Sequence, residues 1–193
     1  MKRILMIPLA AALAACQGMP VDANSAATAG QPASIVAASA GVSGAASGSG
    51  HTLYDFGVPL PYGLGLRNFT FNAIHHADGR VEGQWQIVVG GTILHGDIDC
   101  LTIAPDGASA RMSGVITSSK FTTLQAGTAF AMEIFDNGNG ASGAADVTTQ
   151  LLAFRNADPS VGRAFCTDGT VPTGADLSPL PIDHGNFSIR TDR

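Results

Sequence analysis

The chain has 193 residues and a formal net charge of −5; 45% of it is hydrophobic and only 13% charged. That length means one domain plus tails. With lysine at only two positions, 2 and 120, no basic cluster exists to neutralise phosphates, so nucleic acid is excluded as a partner, and so is a polybasic contact with anionic lipid.

The first element is a leader. Lys2 and Arg3 precede an apolar run from Ile4 to Ala12, too short for a final membrane span. Leu13-Ala14-Ala15-Cys16 follows and resembles the lipobox of bacterial lipoproteins. The resemblance covers the leader only. It implies that residues 1–15 are a signal peptide, that Cys16 is acylated (palmitate among the chains), and that the protein is anchored in the cell envelope. The alternative is an ordinary secretory signal with an incidental Cys. Gln17, where an Asp would resemble an inner-membrane retention signal, implies the periplasmic face of the outer membrane if the cell is Gram-negative. Loss of the leader leaves eight basic residues against fifteen acidic ones. Membrane attachment then rests on the lipid at Cys16.

With Cys16 used, Cys100 and Cys166 remain. In an exported chain such a pair most simply forms a disulfide. Closing a loop of roughly 65 residues stabilises by about 4 kcal/mol in the chain-entropy model. The alternative is two buried free thiols. Two cysteines this far apart do not make a metal site.

Residues 16–50 are rich in Ala, Ser and Gly and carry one charge, Asp22. Without apolar periodicity they read as a lipidated N-terminus and flexible tether, which leaves 51–193 as the folded domain. His51 to Gly65 reads as a loop-rich start containing Val58-Pro59-Leu60-Pro61, with Leu53, Tyr54, Phe56 and Leu64 available to plug one end. From Asn68 the pattern alternates: Phe69, Phe71 and Ala73 on one face, then a turn at Ala77-Asp78-Gly79. Val81, Gly83, Trp85, Ile87 and Val89 form the clearest apolar face. Gly90-Gly91 turns into residues 93–103, and Pro105-Asp106-Gly107 turns out of them. Ala108, Ala110, Met112, Gly114 and Ile116 face in, as do Phe130, Met132 and Ile134 after Ala126-Gly127. A long Gly/Ala loop opens at Asp136, and Val147 to Phe154 and Phe187 to Arg190 complete the strands, with a weak strand candidate at Arg163 to Cys166. No 3.6-residue period stands out past residue 50. The expectation is an all-β fold, an antiparallel meander closing into a seven- or eight-stranded barrel, with a two-sheet β-sandwich as the alternative.

Gly83-Gln84-Trp85 resembles the Gly-x-Trp motif of lipocalins, although it lies on the second predicted strand instead of the first. His76-Ala77-Asp78-Gly79, Ile98-Asp99-Cys100-Leu101, Met112-Ser113-Gly114-Val115-Ile116 and Asp136-Asn137-Gly138 are loosely similar to uncharacterised exported β-rich bacterial proteins. That similarity implies no activity. If the barrel is hollow, Phe71, Trp85, Met112, Phe130 and Met132 are the ligand-lining candidates; if it is filled, they are its core.

Residues 93–103 hold the main question of chemistry. One face carries Leu94, Gly96, Ile98, Cys100 and Thr102; the other carries Ile93, His95, Asp97, Asp99, Leu101 and Ile103. A buried His95/Asp97/Asp99 row would be an acid/base site of a hydrolase or isomerase. An exposed row is a solvated face, and it then needs a bulge near Cys100 to bring Leu101 and Ile103 back inside. The exposed reading is preferred, because burying paired carboxylates is expensive. His75-His76 with His95 and the aspartates is a weak mixed-ligand metal set. Asp136-Asn137-Gly138-Asn139-Gly140 resembles the start of a calcium loop but has Val147 where a bidentate Glu belongs. No serine-nucleophile motif is present. The expected role is structural or interactive, without catalysis, metal or cofactor. The alternatives are a binding module for a small apolar or amphipathic ligand and an enzyme using His95, Asp97 and Asp99. Expected partners are the membrane through the lipid anchor, and a small apolar ligand or an envelope protein.

Overall fold

Among the described residues the chain forms ten strands and one helix. They are β1 (Val42–Asp55), β2 (Leu64–His76), β3 (Val81–Val89), β4 (Thr92–Ile103), β5 (Ser109–Ser119), β6 (Ala129–Phe135), β7 (Val147–Thr149), β8 (Leu152–Phe154), α1 (Ser160–Asp168), β9 (Pro179–Pro181) and β10 (His184–Thr191). The computed structural model describes residues 41–55, 64–138, 144–154 and 158–192. The leader, the lipobox with Cys16, and Val58-Pro59-Leu60-Pro61 lie outside the described residues, as do the side chains of Leu53, Tyr54, Phe56 and Leu64.

The strands from β1 to β7 pair with their sequence neighbours, all antiparallel, as a meander requires. The closed barrel of seven or eight strands is corrected. The strands run β10-β1-β2-β3-β4-β5-β6-β7-β9, with β8 pairing β6 off that row, and the sheet curls into a half-barrel. Among the described residues no ladder joins β9 to β10, so the edges stay unpaired with each other. They are nonetheless consecutive in the chain, with only Ile182 and Asp183 between them. The single segment Val147–Phe154 is also corrected: β7 pairs β9 at one end of β6 and β8 pairs the other end.

β1 accounts for the extra strand. Residues 42–50 fall within the expected tether, since they hold no large apolar side chain, yet they pair with β2 on one side and β10 on the other. Their smallness is what the packing needs. A Cβ on Gly48 would stand 2.5 Å from Phe187 Cδ1 and 2.8 Å from the Asn186 carbonyl oxygen. The Phe187 ring occupies that space and meets Phe69 and Phe71 at 5.7 and 5.3 Å between centroids.

The curl encloses one continuous core. Phe69, Phe71, Trp85, Ile87, Leu94, Ile98, Met112, Ile116, Phe130, Met132, Ile134 and Phe187 are all buried in it. A second, smaller core lies on the outer face, where Phe165 of α1 packs against Ala131 and Leu152. The weak strand at Arg163 to Cys166 is thus corrected to a helix. Its nine residues bury only Gly162, Phe165 and Cys166. That is a helical i, i+3, i+4 stripe, but a Gly and a Cys hide it from a search for apolar periodicity. Asp158 Oδ1 accepts the Ser160 N–H at 2.8 Å at its start, and Gly169 ends it in the left-handed region.

Candidate functional site: the outer face of β2 to β5

The question posed by residues 93–103 is answered by two slips in the β4–β5 register, one between His95 and Gly96 and one between Ile98 and Cys100. Leu94, Gly96 and Ile98 are buried, while His95, Asp97 and Asp99 are exposed. The second slip leaves Asp99 as an extra residue. It turns Cys100 to the outer face opposite Ser113, and it returns Leu101 to the core. Cys100 then reaches Cys166 of α1 and forms the disulfide, with Cα atoms 6.3 Å apart. Free thiols at these positions are corrected accordingly.

The buried acid/base reading of His95, Asp97 and Asp99 is corrected by the same geometry. Coupled carboxylates need a dry surrounding, and this row faces water. Asp99 pairs with Arg163 Nη2 at 3.4 Å with both side chains about half exposed, an interaction of about 1 kcal/mol at most. His75-His76 is not brought to His95. The His76 Nε2 lies 2.9 Å from Glu82 Oε1, and Arg80 Nη1 lies 3.2 Å from Glu82 Oε2. No group of three or more His, Cys, Asp or Glu side chains is placed to hold a metal among the described residues.

The ligand-lining candidates Phe71, Trp85, Met112, Phe130 and Met132 all pack into the continuous core. Trp85 is 2% exposed, and its ring meets Phe130 edge-on at 4.7 Å between centroids. Gly96 makes room for the indole, because a Cβ there would collide with it. The Trp85 Nε1 is buried without a hydrogen-bond partner among the described residues.

Among the described residues, a depression lies on the other side of these strands. A groove of about 640 Å³ runs over the outer face of β2 to β5. Its walls are Thr70 and Asn72 from β2, Gln84 and Gln86 from β3, His95 and Asp97 from β4, and Thr117 and Ser118 from β5, with Phe71, Trp85 and Gly96 beneath. Register builds it in rows. Thr70, Gln86, His95 and Ser118 stand opposite one another, and so do Asn72, Gln84 and Asp97. The slip at His95/Gly96 leaves Thr117 unpaired and adds it to the wall. Asn72 Oδ1 accepts the Gln84 N–H at 3.1 Å. The side chains of Gln84, Gln86, His95, Asp97, Thr117 and Ser118 are not hydrogen-bonded to another described residue. Their donors and acceptors face solvent. The alternation shows this face as polar, but nothing in it marks a groove, whose wall gains Thr117 from the β4–β5 slip.

Two carboxylates have a structural role that the sequence does not mark. Asp146 is 4% exposed. Its Oδ1 accepts the Asn137 N–H at 2.8 Å and its Oδ2 the Phe187 N–H at 2.6 Å, while its carbonyl accepts the Ile182 N–H at 2.9 Å. It therefore ties β10 to the rest of the sheet, and its only mark in the sequence is a lone acid just before Val147. Asp136, read as the start of a calcium loop, spends its carboxylate on the N–H groups of Gly138 and Ile189 at 2.9 and 3.2 Å; Asn139 and Gly140 lie outside the described residues. Among the described residues, Glu133 on β6 is the one carboxyl pushed above its ordinary value. Burial raises it, and Arg111 directly across the strand pair pulls it partly back.

No family model matches the sequence, and no curated protein or solved structure matches it significantly.

Proposed function

We propose that the chain is a lipid-anchored protein of the cell envelope, held at the membrane by acylated Cys16, whose β domain works by contact and without catalysis. One observation supports the contact role. The interior is filled by large side chains, while unspent amides, hydroxyls, an imidazole and a carboxylate gather in a groove on the outside. A surface of that chemistry, with no Lys or Arg in its walls, suits a neutral polar partner surface in the envelope.

Two measurements test this. Radiolabelled fatty acid should enter the wild-type protein, and Cys16→Ser should release it from membranes; unlabelled wild type overturns the anchor. For the contact role, a photocrosslinking residue at Gln86 should give a discrete adduct in intact cells, and one at exposed Ser47 should give none. Absence of an adduct from the groove, together with a saturable change in Trp85 emission on adding small apolar molecules, would replace this reading by one in which the half-barrel takes an internal ligand.

A further inference from the structure

His51 and His184 stand directly opposite each other in the β1–β10 pair. Their ring centroids are 4.7 Å apart and their planes are tilted by 50°. Neither imidazole is hydrogen-bonded to another described residue. The backbone holds them in place. The Asp183 N–H donates to the His51 carbonyl oxygen at 2.9 Å. Gly185, next to His184, has φ +133°, and a Cβ there would collide with the Ser49 carbonyl oxygen. His184 is thus fixed between two anchored neighbours.

Two imidazoles bound to one ion at about 2.0–2.1 Å, in adjacent coordination positions, bring their ring centres to roughly 4.5–5 Å. The observed separation therefore needs no strand to move. Rings stacked in parallel would not aim nitrogens at a common point, whereas planes at this tilt can converge on one. Imidazole suits Cu²⁺, Ni²⁺ and Zn²⁺ better than the hard cations.

We propose that His51 and His184 form a binding site for one divalent transition-metal ion, with the remaining coordination positions open to water or to an outside ligand. The site lies on β1 and β10, apart from the groove on β2 to β5, and a bound ion bridges one edge strand of the sheet to its neighbour.

The test uses the full untagged chain. Calorimetric titration with Cu²⁺ and with Ni²⁺ should give one equivalent bound. Pulsed electron paramagnetic resonance of the Cu²⁺-loaded protein should detect two imidazole nitrogens. His51→Gln and His184→Gln should each weaken binding by at least about tenfold, since even partners one step removed from a metal are worth 10–100-fold. Ni²⁺ should raise the melting temperature of the wild type and of neither variant. Absence of saturable binding, a single imidazole or none in the resonance spectrum, or undiminished binding in the double variant would each overturn the site. The spectrum of the wild type decides the matter even if a variant fails to fold.

Discussion

At the scale of single residues, two side chains carry sharp expectations. Trp85 is enclosed by Phe130 and the Gly96 backbone. Its truncation to Ala should cost about 3–5 kcal/mol, as for other buried aromatics, and wild-type emission should be blue-shifted and shielded from aqueous quenchers. Emission at the position of free Trp would show that β3 faces the other way. Glu133 gives a pH signature. Its folded-state value lies above the ordinary 4.5 because of burial, so the folded state binds its proton more tightly than the unfolded one. Stability from this group is full below pH 4.5 and is lost as pH rises through the folded value. Glu133→Gln should therefore melt higher than the wild type at pH 7, with the gap closing below 4.5. A variant that melts lower at pH 7 would mean that the attraction to Arg111 outweighs burial.

Elements are where the sequence was hardest to read. β1 and α1 were missed for the same reason: each uses small residues to let something larger come close. Gly48 leaves space for Phe187, and Gly162 would place a Cβ 2.9 Å from the Phe130 carbonyl oxygen. A hydrophobicity scan finds side chains that fill space and overlooks those that yield it. β2 to β6 were legible because their inner positions carry the bulk themselves. The groove residues were visible as the polar half of that alternation. Their gathering into a concavity was not, since it depends on where β4 and β5 slip. The tether and strand readings of 42–50 separate cleanly in experiment. Gly48→Ala should cost about 1–3 kcal/mol by overpacking, whereas in a flexible tether it would be neutral or slightly stabilising. For α1, reduction or Cys100→Ser with Cys166→Ser should remove about 4 kcal/mol on the chain-entropy argument. That loss should appear as a lower denaturant midpoint.

On the scale of the whole molecule, the curled sheet depends on its last strand being held at both ends. Asp146 supplies acceptors to N–H groups on either side of that seam. Asp146→Ala strands the buried Phe187 N–H and releases the part-buried Asn137 N–H to water, which should cost roughly 1–3 kcal/mol. Asp146→Asn keeps one acceptor and should cost distinctly less. Hydrogen exchange in the alanine variant should rise first along β10 and the part of β1 that faces it. Exchange that rises evenly over all strands would mean that the seam opens only with the whole domain.

The order of β9 and β10 also fixes when this domain can be finished. They come after every other strand in the chain, yet one supplies each edge of the sheet. Until they emerge from the ribosome, β1 has no outer neighbour, β7 has none either, and the Phe187 ring is missing from the core. The pairing of His51 with His184 spans most of the sequence, which is the kind of distant contact that slows folding. A nascent chain truncated before residue 179 should therefore remain sensitive to protease, and protection should arrive in one late step once the final strands are released.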